Sequence, residues 1–368
     1  MQVLDGSRRS EKGQPTSIPP PSIHQRSVKT GVPGLKLLAY LRPEKPDETL
    51  NNSFRACAIR LPYLYALSEN GTLWTFSLPS GERGPETRIV RPVSKLETKA
   101  RDLITTGDAL IASSTEHGSE VFSLEDPAHP RSIGSAGPGA DNLLLHQERL
   151  LCLAVKYSPT NRTGVLTVFD ISNSRRPVIL SVTNIPQFPV SGCIISNHLY
   201  LQLGDEKRRA RHEAFGSTDQ GEIIYSIANF DFSPEGVLNY HSQVACPSWC
   251  PWLIPFDKEI VAVNDSESIR LSVTNPVAPL FLEKRLSARS RSAVGADRNG
   301  ESFLFLNGAV WKRTADGWIL CGRIPTANQG DGSPYRAASQ GPYLAIPTDD
   351  QVWLYEWTNI SSPAEKRP

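Results

Sequence analysis

Arginines recur at one kind of place in this chain. Arg55 and Arg101 each stand just ahead of a short apolar run, 57–60 and 103–106, and Arg336, beside Tyr335, stands near the like place toward the C-terminus. Arg289 and Arg291 precede another such run, and Asp102 and Asn142 lie at or next to the same position. Guanidiniums gathered in this way would bind a carboxylate, a phosphate or an acidic peptide. Asp102 or His146 would be the groups to move a proton, and Trp252 offers a flat ring for stacking. Two functions follow from these residue types. One is a binding protein that recognises a protein partner or a small anionic or aromatic ligand. The alternative is an enzyme of hydrolase, lyase or cyclase type acting on a small anionic or aromatic substrate. The plainer reading is a solvated rim on which Asp102 neutralises a neighbouring arginine.

The densest cluster is His241-Ser-Gln-Val-Ala-Cys246-Pro-Ser-Trp-Cys250-Pro-Trp252. Cysteine and histidine are soft zinc ligands, but the usual close pair is Cys-x2-Cys. Here the spacing is Cys-x3-Cys, proline follows both cysteines, and a fourth ligand would come from as far away as His212. No metal is assigned, and a disulfide or two separate thiols both stay open. Trp249 and Trp252 either frame a ligand or fill a gap in the packing. The segment 204–221 reads as a charged insertion within a hairpin, with a basic run at 207–211. Asp205, Glu206 and Glu213 beside that run argue against nucleic acid as the partner. No Gly-x-Ser-x-Gly, phosphate-binding glycine loop or His-Glu-x-x-His occurs, and no cofactor is implied.

The elements that must position these residues read as strands. Residues 63–67 and 72–78 alternate in a strand pattern around Asn70-Gly71, a type I′ hairpin signal. The same strand-turn-strand reading recurs six more times, to give seven hairpins in all. Each is preceded by a short run suited to an inner strand, and most are followed by an outer one.

A short phrase punctuates the array. It appears as Leu124-Glu-Asp126-Pro-Ala-His-Pro130, Ile171-Ser-Asn173-Ser-Arg-Arg-Pro177 and Val273-Thr-Asn275-Pro-Val-Ala-Pro279, with Trp357-Thr-Asn359-Ile-Ser-Ser-Pro363 as a fourth copy. Copies lie about forty to fifty residues apart, or twice that, which is the period of a four-stranded propeller blade. Asp or Asn after a strand accepts backbone N–H groups two residues on, and Pro fixes φ where the chain reverses. The fold expected is therefore all-β, a single β-propeller over residues 31–363. Seven blades is the favoured count, with six and eight left open. The last hairpin has no outer strand after Pro363, whereas residues 33–41 resemble the outer strand that follows Pro177. An N-terminal strand should therefore complete the last blade and close the ring.

At these residues the chain resembles the LVIVD-repeat propeller family, whose blades end in a similar strand, an Asp, a short Pro-containing turn and another apolar strand. The copies at 124–130, 171–177 and 273–279 match well, and the one at 357–363 matches less closely. The resemblance implies a β-propeller and brings no catalytic residues with it. Many members look exported, and this sequence departs from them there.

Composition narrows the classes further. A net charge of +1 gives no bulk drive toward nucleic acid or an anionic membrane. No apolar run approaches the ~20 residues needed to cross a bilayer. With 26 Gly and 30 Pro, frequent turns suit many short strands. Residues 1–30 are polar and Pro-rich and read as a disordered tail, and 364–368 as a second short tail. Without an apolar signal region a cytoplasmic location is expected. Most of the six cysteines sit singly in apolar runs and read as small buried hydrophobes.

Overall fold

The computed structural model describes residues 32, 34–43, 53–79, 88–158, 162–207, 222–233, 237–264, 268–286 except 277, 293–324 except 299, 307 and 316, 336–348 and 351–357. Both tails, Tyr335, Arg289, Arg291, His212 and the phrase after Trp357 lie outside the described residues.

Strands build seven sheets around a central channel, and no helix occurs among the described residues. None is therefore long and apolar enough to cross a membrane. The inner strands of blades 1 to 7 are Phe54–Arg60, Asp102–Thr106, Asn142–His146, Phe188–Ile195, Trp252–Phe256, Ala293–Arg298 and Ala338–Gln340. In each blade the middle strands follow in antiparallel order, so all inner strands begin at the same mouth of the channel.

The expected closure is present. Leu35–Leu41 lies antiparallel against Val352–Trp357, from Leu35 opposite Trp357 to Leu41 opposite Val352. A strand the sequence had not suggested, Arg88–Val90, adds to the outer edge of Leu35–Leu41 in parallel. It comes from blade 1 and covers an edge that would otherwise expose unpaired backbone groups. Blades 7 and 1 are joined again near the channel, where Arg336 N–H donates to Arg55 C=O (2.7 Å) and Cys57 N–H to Arg336 C=O (2.9 Å).

The core lies between the blades. One cluster unites Tyr65, Leu67 and Leu73 of blade 1 with Leu103, Leu110 and Phe122 of blade 2. Another joins Leu37, Leu344 and Tyr355 of blade 7 to Phe303, Phe305 and Val310 of blade 6. Alternation along each middle strand supplies both of its faces to two such clusters.

The recurring phrase forms the expected turns. Asp126 Oδ1 accepts Ala128 N–H at 3.1 Å and Asn173 Oδ1 accepts Arg175 N–H at 3.2 Å. It also clasps neighbouring blades, a role no local pattern revealed. Tyr65 O–H of blade 1 donates to Pro127 C=O of blade 2 at 2.9 Å, and Arg60 donates to Leu124 C=O at 3.2 Å. Asp108 of blade 2 accepts Ser174 Oγ–H and Arg175 Nε–H from the phrase of blade 3, at 2.5 and 2.9 Å. Asn229 of blade 4 donates to Pro276 C=O of blade 5.

Two local expectations change. Among the three turn residues 69–71 only Gly71 has a positive φ, of 85°, so the loop is not type I′. Its shape is a turn closed by a left-handed glycine, and a Cβ there would meet Thr98 C=O at 2.4 Å. In the fourth hairpin the ladder continues through Asp205, Glu206 and Lys207, the last opposite Glu222, where the sequence read an insertion from Gly204. Charged residues outside a buried face do not interrupt backbone pairing.

The clasp is testable. Tyr65→Phe should lower stability to urea by about 1 kcal/mol, because Pro127 C=O loses its donor while the ring still packs. An unchanged midpoint would contradict that role.

Candidate functional site

The inner strands leave the channel open. A cavity of about 560 Å³ runs from the mouth at which they begin and is lined by every blade. Small residues open it at several inner strands, among them Ala56, Gly192, Ala293 and Gly295, with Ala337 just ahead of the last strand. A Cβ on Gly295 would meet Ile254 and Phe256 at 2.9 and 3.0 Å, so a larger residue there would collide with the wall.

Six residues expected at a common site from their places in the hairpins do line this cavity: Arg55, Arg101, Asp102, Asn142, Trp252 and Arg336. Arg291 and Tyr335 lie outside the described residues. His146 is not with them. It ends the inner strand of blade 3 at the opposite mouth, where its Nε2 lies 3.2 Å from Asn197 Oδ1 in the turn of blade 4. An inner strand crosses the channel, so only its first residues reach this mouth.

The lining is divided. Blades 4, 5 and 6 supply Phe188, Val190, Trp252, Ile254, Phe256 and Val294, a largely apolar wall. Blades 7, 1, 2 and 3 supply Arg336, Arg55, Arg101, Asp102, Asp141 and Asn142.

Within the charged wall, Asp102 and Arg336 form a strut. Asp102 is buried; its Oδ1 accepts Leu103 N–H and its Oδ2 accepts Leu143 N–H, both at 2.9 Å. Arg336 donates to the same Oδ2 and also to Leu143 C=O at 3.0 Å. One ion pair thus ties blade 7 to blades 2 and 3 across the first blade. Arg336 is engaged in this strut while its side chain stays partly exposed, and both Asp102 oxygens accept backbone N–H groups. Asn142 is also engaged, donating to Val190 C=O at 3.2 Å.

Three further cationic side chains line the mouth. Arg55 is half-buried and makes no ion pair with any described residue. Arg101 is exposed, 3.6 Å from the exposed Glu116, a pair worth little in water. Arg162, which the sequence reading missed, lies with its guanidinium 4.9 Å from the centre of the Phe188 ring. Asp141 and Asp297 are the cavity's other carboxylates, Asp297 toward the far end of the inner strand of blade 6. The missed residues had one signal in the sequence, the unusual length of the hairpin that carries Tyr157 and Arg162.

The Cys246–Trp252 segment links blade 4 to blade 5 and carries Trp249 and Trp252 to the cavity. Gln202 holds it from within, accepting Cys250 N–H at 2.7 Å and donating to Ser248 C=O at 2.7 Å. Both Cys246 and Cys250 thiols point at Ser248 C=O, at 3.3 and 3.6 Å. The hydrogen bond with Cys246, together with burial, pushes the Cys250 thiol well above its ordinary pKa. His241 does not join them; its Nε2 lies 3.0 Å from Asp231 Oδ2 and depresses that carboxyl's pKa. Burial raises the Cys57 and Cys193 thiols strongly and pushes Cys152 up to about 12.

No family model matches the chain, and no curated protein matches it. Solved structures do resemble it. The Saccharomyces cerevisiae protein Sqt1 superposes with a TM-score of 0.54 at 12% identity, covering 88% of this chain and 99% of that one. The WD40 β-propeller domain of Doa1 gives 0.55 at 12% identity, covering 88% of this chain and 97% of that one. At such identity the likeness establishes the seven-bladed propeller fold alone.

Two outcomes follow. Asp102→Asn should cost about 2 kcal/mol, between the losses for exposed and fully buried pairs, measured by urea unfolding. A loss below a few tenths would show the strut to be ornamental. A thiol reagent at pH 8 should modify partly exposed Cys321 first, and the five buried thiols only on unfolding. Early labelling of Cys57 or Cys152 would contradict their burial.

Proposed function

We propose that this propeller is a binding or scaffolding protein that recognises a partner or an anionic ligand at the channel mouth. The observation that carries the proposal is the cavity itself, open, with an apolar wall facing a wall of arginines. Apolar surface with a few convergent polar groups is the ordinary composition of a ligand site. Arg55 is the group best suited to meet an anion, since a half-buried guanidinium with no ion pair among the described residues gains most from a carboxylate or phosphate. Trp252 offers the flat apolar contact opposite it.

The enzyme alternative loses its two proposed proton-transfer groups. Asp102 is tied into a strut, and His146 belongs to the other mouth. Kinship with LVIVD-repeat propellers remains part of the proposal, supported by the turns at 126–130 and 173–177. So does a cytoplasmic location, which cell fractionation would check.

The test uses 8-anilinonaphthalene-1-sulfonate, an aromatic anion whose fluorescence rises in apolar sites. Replacing Arg55 and Arg101 together with Ala should weaken its binding at least tenfold and leave the urea midpoint nearly unchanged. Equal binding by the double variant would overturn the channel-mouth reading.

A further inference from the structure

We infer that a second copy of this chain pairs with it edge to edge, through the outer strand of blade 3, Val178–Ile185, to form a symmetric dimer. The inference is independent of what the channel mouth binds.

Val178–Ile185 is the last strand of its sheet, and no further strand lies along its outer edge among the described residues. Proteins guard such edges with charged side chains, with bulges or with a covering segment. The other outer strands show these devices. The sequence sets Lys95 and Glu97 in that of blade 1, and Glu283, Lys284 and Arg285 in that of blade 5. In blade 2 the ladder of Arg131–Gly137 shifts twice, with Gly134 and Gly137 at φ of 152° and 106°. In blade 7 the closing strand Leu35–Leu41 is covered by Arg88–Val90.

Blade 3 is the exception. Its outer strand reads Val-Ile-Leu-Ser-Val-Thr-Asn-Ile, the one outer strand among the described residues with no ionisable side chain. Its single bulge, at Leu180, turns no charge outward. Four of its apolar residues lie in water: Val178 is 60% exposed, Ile179 48%, Leu180 39% and Val182 55%. At those fractions they expose roughly 350–400 Å², the size of the largest patch on a typical monomer and often a functional one.

What covers this edge must extend a ladder and bury aliphatic side chains along an uncharged stretch. An added strand does both, and blade 7 uses that device within the molecule. The same strand of a second copy matches it in length, polarity and absence of charge. A two-fold axis at Val182 runs the two strands antiparallel, with Val182 against its own counterpart and Leu180 opposite Asn184. No charge opposes a like charge within the paired residues. Once Thr183, Asn184 and the backbone edge are counted, the pairing removes about 1,100 Å² from water, near the lower end for specific interfaces. A dimer of that size has micromolar affinity. Each copy has one such edge, so pairing consumes it and assembly stops at two.

The experiment is sedimentation velocity on the full chain. The wild-type chain should pass from monomer to dimer between about 1 and 100 µM. Val182→Lys sets two ammonium groups face to face at the axis, and Val182→Glu two carboxylates, so each variant alone should associate at least tenfold more weakly. Mixed in equal amounts they should form a mixed dimer, because Lys then faces Glu. That recovery, with urea midpoints close to wild type, shows that both variants fold. A wild-type chain still monomeric at about 100 µM would overturn the inference and leave the edge to a strand of another protein. A dimer that both variants keep would overturn it too, by placing the interface elsewhere. So would a mixture of the two that stays monomeric.

Discussion

Everything in this molecule depends on the ring being closed by its first strand. A blade has two apolar faces and can bury neither alone, so each core cluster is the joint property of two neighbours. The cluster that unites Leu37 with Phe303 and Tyr355 exists only because Leu35–Leu41 returns to lie on Val352–Trp357. Without that strand blade 7 would lose its outer face and expose an edge. The parallel strand Arg88–Val90, laid over the closing strand by blade 1, protects the same seam.

Closure also fixes what the channel can be. With seven blades the inner strands stand far enough apart that small residues such as Ala56, Gly295 and Ala337 leave real space between them. The Asp102–Arg336 strut then holds blades 7, 2 and 3 in register around one side of that space. Its carboxylate and guanidinium satisfy each other and two backbone amides, so the charged wall is rigid and partly self-neutralised. The other arginines of the mouth lie across from a largely apolar wall whose polar members are Ser191 and Asp297. The asymmetry is a division of labour, with one half of the ring anchoring charge and the other offering contact area.

Much of this was legible in the sequence, for physical reasons. Strand alternation and turn chemistry are local, so the hairpins could be read, the blades counted and the meeting of the two ends anticipated. The alignment of hairpins brought Arg55, Arg101, Asp102, Asn142, Trp252 and Arg336 to one mouth, because equivalent positions in a closed repeat converge in space. What failed was non-local. That Asp102 and Arg336 would find each other depends on a contact between residues far apart in the chain. His146 stands four residues past Asn142 along the same inner strand, and that distance takes it to the other mouth. The phrase read as punctuation proved also to be a clasp, since Tyr65 reaches Pro127 from another blade. Tyr157 and Arg162 were hidden in a hairpin whose extra length carried no motif.

The most direct measurement is amide hydrogen exchange on the full chain with and without 8-anilinonaphthalene-1-sulfonate. Recognition at the mouth requires that added protection fall on the strand ends that line it, at 190–192 and 293–295, and on the link at 249–253. Amides at the opposite mouth, in the turns at 126–130 and 173–177, should exchange as before. Protection confined to those turns or to the outer strands, with the channel mouth unchanged, would contradict the account.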